Sequence, residues 1–234
     1  MKKSFSIIIP VLNESLNIKI LTKKIFYFFT KHNYEIIFVD DNSTDNSKYI
    51  FVELKKKYKN FRFYIRKRKI RDLSKSCIYG FEKSKYSNII VMDGDLQHDP
   101  RYLNKMANYY LKNKLDFLVG ARDFSKFKIL GISFIRYWSS KIFIFIFKLL
   151  IGNLTNDPMS GFFIFKKNIF LQKRKKLFRR GYKILADLLY SGDSNLSSKD
   201  FIIQFNHRVS GKSKMSFKVL LNVCFFILIN KLRI

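Results

Sequence analysis

The sequence predicts an α/β fold, a mostly parallel, doubly wound sheet flanked by helices. Three observations predict it. Short β-branched and aromatic runs alternate with stretches of helical period. The runs are apolar throughout rather than alternating, as in strands covered on both faces. Two of them, Glu35-Ile36-Ile37-Phe38-Val39 and Ile89-Ile90-Val91-Met92, stop abruptly at acidic turns, Asp40-Asp41 and Asp93-Gly94-Asp95.

Taken in order, Phe5-Ser6-Ile7-Ile8-Ile9-Pro10 is a first strand closed by proline. Asn13 or Ser15 caps a helix whose apolar stripe is Leu16, Ile20, Leu21 and Ile25. After the second strand, Asn42, Ser43 and Thr44 supply turn and cap chemistry for a helix from about Asp45 to Tyr58. A strand Phe61 to Ile65, a basic connection Arg66 to Arg71 and a helix from about Leu73 to Lys85 lead into Ile89 to Met92. Pro100 starts a helix to about Asn113, and Asp116 to Val119 is a strand ending at Gly120-Ala121-Arg122. Ile129 to Leu150 is apolar on nearly all sides and reads either as core or as a helix lying in a membrane interface. A basic stretch, Lys173 to Arg180, precedes a helix from about Gly181 to Tyr190, and a strand Phe201 to Phe205 follows. The cationic loop His207 to Lys214 then leads to the apolar segment Phe217 to Ile229, which falls short of the roughly 20 residues of a comfortable membrane span. It is read as an interfacial or docking helix.

Composition bounds the partners. Lys and Arg number 46 against 17 acidic residues, a formal net charge of +29, which calls for a polyanionic partner: nucleic acid, an anionic membrane surface or a phosphorylated substrate. Nucleic acid is disfavoured, because there is no zinc spacing, no helix-turn-helix signal and no aromatic-rich single-strand motif. Cys77 and Cys224 lie far apart in apolar segments and are read as buried thiols of a reducing compartment. The start of the chain does not have the pattern of a signal peptide, since Pro10 and Asn13-Glu14 break its apolar run, so a cytoplasmic location is expected.

The chemistry concentrates at strand ends. If neighbouring strands carry the two acidic turns, both face one crevice at the C-terminal edge of the sheet, where open α/β sheets bind ligands. Asp93, Asp95 and the Gln97 amide form a hard-ligand set suited to Mg²⁺ or Mn²⁺. His98 is read as a turn residue packing near Pro100 rather than as a ligand.

The series Ile9-Pro10-Val11-Leu12-Asn13-Glu14, Asp40-Asp41-Asn42-Ser43, Met92-Asp93-Gly94-Asp95-Leu96-Gln97-His98, Ser160-Gly161-Phe162 and Arg208-Val209-Ser210-Gly211-Lys212-Ser213-Lys214 resembles the family 2 glycosyltransferases. Within them it is most similar to the dolichyl- or polyprenyl-phosphate mannosyltransferase branch. The motifs arrive in family order over almost the whole chain. The resemblance implies a GT-A-type, Rossmann-like sheet in a single domain, 1–234, with C-terminal membrane-associating helices. A nucleotide-sugar and metal half would run to about residue 122, an acceptor half to about 214, and an apolar helix from about 215.

It also implies inverting transfer of one hexosyl group, mannose from GDP-mannose foremost, to a polyprenyl or dolichyl phosphate at the cytoplasmic face of a membrane. By the same resemblance Pro10, Leu12, Glu14, Val39 and Asp41 hold base and ribose. Asp93, Asp95 and Gln97 hold the metal, and Gly94 lets the backbone approach the nucleotide. Arg122, Arg208 and Lys214 hold the donor diphosphate and acceptor phosphate, so that Asp95, Arg208 and Lys214 carry the catalysis. Leu12 departs from the tyrosine common in relatives, which leaves the base open, and UDP-glucose, UDP-N-acetylglucosamine or a saccharide acceptor are the alternatives. No residue is assigned as a general base; Asp157 is a candidate for shaping the acceptor site. A separate membrane-anchoring subunit is a further candidate partner.

Overall fold

The computed structural model describes residues 2–67, 70–123, 145, 148, 152–177, 184–190 and 195–205. Seven strands, β1 (Ser4–Val11), β2 (Asn33–Asp40), β3 (Phe61–Ile65), β4 (Asn88–Val91), β5 (Phe117–Ala121), β6 (Phe163–Lys166) and β7 (Ser198–Ile202), form one sheet in the order β3-β2-β1-β4-β6-β5-β7. Only β6 is antiparallel to its neighbours; the other pairs are parallel. The expected mostly parallel sheet is present, with one reversed strand that the sequence did not reveal. The two acidic turns follow β2 and β4, which are not adjacent: β1 runs between them.

Helices cover both faces. On one side α1 (Ser15–Phe28), α2 (Ser47–Lys57) and α4 (Leu103–Lys112) bury Ile18, Leu21, Ile25, Phe51, Leu54 and Met106 against Phe5, Ile7, Ile9, Ile36 and Phe38. On the other, α3 (Leu73–Lys83), α5 (Lys167–Lys173) and α6 (Ile184–Tyr190) set Cys77, Phe81, Phe170 and Leu185 on Ile8, Ile37, Val39, Phe163 and Phe165. Successive side chains of β1 thus enter opposite cores, which is why its apolar run is unbroken.

Several elements differ from expectation in detail. The inward stripe of α1 is Ile18, Leu21 and Ile25, while Leu16 is 74% exposed and Ile20 45%. Neither Asn13 nor Ser15 caps α1: Glu14 holds the cap position with no side-chain cap bond, and the Ser15 N–H donates to Asp45 Oδ2 of the next loop at 2.9 Å. A 3-10 turn, Pro100–Tyr102, precedes α4. The last strand lies earlier than Phe201 to Phe205, at Ser198–Ile202. No helix of the described residues is long and apolar enough to cross a membrane. The segments 129–150, apart from positions 145 and 148, and 206–234, with the cationic loop, Cys224 and the apolar C-terminal helix, lie outside the described residues.

Candidate functional site

The parallel strands β1, β2, β4 and β5 all deliver their C-terminal ends to one edge of the sheet. Because β6 runs the other way, it brings its N-terminal approach, Ser160-Gly161-Phe162, to that same edge. The site is built from these five connections.

On the β1–β2 side the loops are stitched together. Asn13 Oδ1 accepts from the Thr44 N–H at 2.9 Å, and the Asn13 N–H donates to Ser43 Oγ at 2.8 Å. Asn13 and Asn42 both take positive φ, 57° and 64°, a region that asparagine tolerates better than most residues. Asp40 accepts from both the N–H and the hydroxyl of Ser43, closing the turn. Asp41 is buried and both its oxygens are held, one by the Arg66 guanidinium and one by the Asp72 N–H. Arg66 Nη1 also donates to the Asp72 carbonyl and Ser76 Oγ, each at 3.0 Å. A carboxylate has about four acceptor positions, so these bonds orient Asp41 without exhausting it. Burial pushes the carboxyls of both Asp40 and Asp41 above the ordinary range.

Arg66 and Asp72 were missed from sequence. The available signal was position: Arg66 is the first residue after β3, whose partner β2 ends beside Asp41. Among the expected base and ribose residues, Pro10 pairs with Val39 across the ladder, Leu12 is half-buried, and the Glu14 carboxylate accepts from Asn17 Nδ2 at 2.7 Å. The Val39 side chain lies wholly in the core on the α3 face, and its main chain is flanked by Pro10 on one side and Tyr64 on the other.

After β4, Gly94 packs down on β1 between Asp93 and Asp95. A Cβ on Gly94 would stand 2.5 Å from Val11 Cγ1, so the glycine is required by protein packing as well as by any ligand. Asp95 is buried and its Oδ1 accepts the Gln97 N–H at 3.1 Å. Between them Leu96 holds φ 62°, costly for a leucine and the kind of strain that clusters at functional sites. The Asp93 N–H donates to His98 Nδ1 at 3.3 Å. His98 is buried between Phe162 and Phe205, with ring centroids 5.3 and 5.0 Å away, so its packing partners are these rings.

The wall opposite is Gly161. A Cβ there would lie 2.1 Å from Asp93 Oδ2 and 2.5 Å from Oδ1, so the Asp93 carboxylate occupies the space that a side chain at 161 would fill. Among the described residues no group of three His, Cys, Asp or Glu converges. A hard cation here would take Asp93 and Asp95 as its anionic donors, with the Gln97 amide, water or phosphate oxygens completing its shell.

At the end of β5, Arg122 is clamped by Asp157. Nε donates to Oδ2 at 2.8 Å, Nη2 to Oδ1 at 2.7 Å, and the Arg122 N–H to Oδ2 at 3.2 Å. Asp157 is fully buried, and the guanidinium also lies 5.6 Å from the Phe205 ring centre. Burial opposes the charge on Arg122, but Asp157 and then Asp93 outweigh it and raise the guanidinium pKa. The structure thus brings Asp93, Asp95, Gln97, Gly94 and Arg122 to one edge with Pro10, Leu12, Glu14 and Asp41. Arg208 and Lys214 lie outside the described residues. Cys77 is buried under α3, where burial pushes its thiol well above its usual value, an inert packing group.

Residues 6–172 match the glycosyl transferase family 2 domain. The chain belongs to this family. It is 33% identical over 218 residues to a dolichol-phosphate mannosyltransferase of Pyrococcus furiosus, covering 92% of this chain but 60% of that longer protein. It is 32% identical to the dolichol-phosphate mannosyltransferase of Mycosarcoma maydis, covering 93% of this chain and 75% of the relative. The Saccharomyces cerevisiae dolichol-phosphate mannosyltransferase is 30% identical, with 94% and 84% covered. Among solved structures, glucosyl-3-phosphoglycerate synthase from Mycobacterium tuberculosis, in complex with Mn²⁺, UDP and glucosyl-3-phosphoglycerate, superimposes with a TM-score of 0.74 at 14% identity. That alignment covers 97% of this chain and 79% of the synthase, and it extends the likeness to the whole sheet.

Proposed function

We propose that this glycosyltransferase moves a mannosyl group from GDP-mannose to a polyprenyl or dolichyl phosphate, with inversion and with Mg²⁺ or Mn²⁺ bound at Asp93 and Asp95. The likeness to three dolichol-phosphate mannosyltransferases over nearly the whole chain supports the donor and acceptor. One observation in the site carries the choice of acceptor. Asp157, the carboxylate expected to shape the acceptor site, is fully buried and held in a two-point bond to Arg122, which unfits it as a base for deprotonating a hydroxyl. A phosphate monoester has a second pKa near 6 and arrives ionised, so it needs no base.

The residues then divide the task. Asp41, fixed by Arg66, accepts hydrogen bonds from the nucleoside. Asp93 and Asp95 fit the cation chemically, since Gly161 leaves room for the Asp93 carboxylate and the donors are hard oxygens. When bound, the cation offsets charge developing on the departing diphosphate. Arg122, Arg208 and Lys214 place the two phosphate groups. An acceptor phosphate oxygen forms the new bond to the anomeric carbon as the bond from that carbon to the donor diphosphate oxygen breaks, and GDP leaves with the electron pair. The reading includes attachment at the cytoplasmic face of a membrane through Phe217 to Ile229 and the excess of cations, alone or with an anchoring subunit.

The test is product formation. Purified protein with Mg²⁺ or Mn²⁺ and polyprenyl phosphate in vesicles is given labelled GDP-mannose, UDP-glucose or UDP-N-acetylglucosamine. Lipid-extractable label from GDP-mannose is expected, abolished by Asp95→Ala. Label only from a UDP-sugar overturns the donor, and label only in saccharide overturns the acceptor.

A further inference from the structure

The hydrogen bonds that hold Arg122 do not end at Asp157. They continue to Asp200 on the edge strand β7, a residue that no motif of the sequence singles out. Asp200 pairs across the ladder with Val119, three residues before Arg122 on β5. Its carboxylate gathers three donors from the turn that carries Asp157. Thr155 Oγ1 donates to Oδ1 at 2.5 Å, and the Asn156 N–H and Nδ2 donate to Oδ2 at 2.8 and 2.7 Å. The Asp157 N–H in turn donates to Thr155 Oγ1 at 3.0 Å.

The chemistry of this chain has a direction. An ionised carboxylate only accepts, so the Thr155 hydroxyl proton must point at Asp200. That leaves the Thr155 oxygen a lone pair aimed at the Asp157 N–H. The main chain of 155–157 is thereby fixed at both oxygens of Asp200, and the buried Asp157 carboxylate is fixed with it. A two-point arginine–carboxylate pair is planar, so the orientation of Asp157 sets the orientation of the guanidinium. Arg122 also carries a contact to the Phe205 ring, which tolerates tilting and does not fix the plane by itself.

We propose that Asp200 is a positioning residue for the transfer site, acting through Thr155 and Asp157 to aim the Arg122 guanidinium at the donor diphosphate. The inference rests on the reading of Arg122 as a diphosphate-binding cation. Asp200 touches no substrate. Its effect is on orientation, and a side chain that keeps the shape but reverses one hydrogen bond should uncouple it. Asp200→Asn does this, because an amide nitrogen turned to Thr155 would force the hydroxyl proton away, toward the Asp157 N–H that needs an acceptor. Thr155→Val removes the relay at nearly constant volume, while Thr155→Ser keeps the hydroxyl.

The probe is magnesium pyrophosphate, which needs neither the correct base nor the lipid. Its affinity for the full chain is measured by titration calorimetry, with circular dichroism melts to show that each variant is folded. Asp200→Asn and Thr155→Val should each weaken binding about 10-fold, the scale of one misaligned charge-assisted hydrogen bond. Thr155→Ser should stay within about 2-fold of the parent. Arg122→Gln should weaken binding, and adding Asp200→Asn to it should weaken binding no further, since coupled residues are not additive. If Thr155→Val does not fold, Asp200→Asn and the double variant decide alone. Parent-like affinity in Asp200→Asn, or effects that multiply in the double variant, would overturn the proposal. Parent-like affinity in Arg122→Gln would overturn it together with the diphosphate role of Arg122. The lipid-product assay separates either result from a failure of the donor and acceptor assignment.

Discussion

Gly161 and Asp93 occupy one space. The position of a Cβ on Gly161 falls 2.1 Å from Asp93 Oδ2, closer than any non-bonded pair can come, so residue 161 must be glycine for Asp93 to stand where it does. This ties a motif entering β6 to the carboxylate leaving β4, two strands that are hydrogen-bonded neighbours.

Gly161→Ala should therefore displace the Asp93 carboxylate without unfolding the sheet. A misplacement of about 1 Å at a reacting centre costs on the order of 100-fold in rate, and a loss of that size in lipid-product formation is expected. Mn²⁺ affinity, read by electron paramagnetic resonance, should fall with it while the far-ultraviolet spectrum is unchanged. An alanine variant with parent rate and parent Mn²⁺ affinity would show that Asp93 is not a ligand.

Two buried carboxylates each lean on one arginine, at opposite ends of the sheet. Asp41 and Arg66 are both almost fully buried at the site edge. Glu35 pairs with Arg62 at 2.6 Å toward the other edge, where it also accepts from Ser6 Oγ and the Lys85 N–H. Arg66→Met strips an almost fully buried partner and should cost about 3 kcal/mol of stability. Arg62 is 26% exposed, so Arg62→Met should cost less, about 1–2 kcal/mol. Urea unfolding measures both. Only Arg66→Met should also weaken nucleotide affinity, and equal weakening by Arg62→Met would refute the placement of the base site at Asp41.

The raised Asp40 carboxyl gives a pH signature. Burial disfavours its charge, so the folded state binds the proton more tightly than the unfolded chain. The stability tied to that proton is fully present below the ordinary carboxylate value of 3.8 and is lost as pH rises through the higher folded value. Asp40→Asn keeps an acceptor for the Ser43 N–H and removes the titration. Its urea midpoint should thus change less with pH than that of the parent on going from about pH 4 toward neutrality. Identical pH slopes in parent and variant would remove Asp40 from the account.

Much of this was legible in the residues. Strands β1 to β5 and helices α2 and α3 fall within a few residues of their expected positions, because unbroken apolar runs between turn residues leave little choice. The face of α1 was legible only in part, since Leu21 and Ile25 point inward as expected while Leu16 and Ile20 do not. Leu16, Ile18, Ile20, Leu21 and Ile25 contain two overlapping helical stripes, and only contact with Ile7, Ile9 and Ile36 selects Ile18 over Leu16 and Ile20. Strand β6 escaped because Phe163-Ile164-Phe165 is short and follows directly on a glycine turn. The last strand was set too late because Ser198-Lys199-Asp200 looks like loop, though an edge strand tolerates polar residues. Among residues of the candidate site, the carboxylates at strand ends stand out in the sequence; Arg66, Asp72 and Asp200 do not, since each is bonded to a partner remote in sequence.

The reversed strand also constrains the order in which the molecule can assemble. Strand β5 leaves the ribosome well before β6, yet it touches β4 only through β6. Until residues 163–166 emerge, β4 lacks its β6 neighbour and β5 lacks the strand that links it to β4. Closure of the sheet and the meeting of Gly161 with Asp93 are then one event, set by the same seam between β4 and β6.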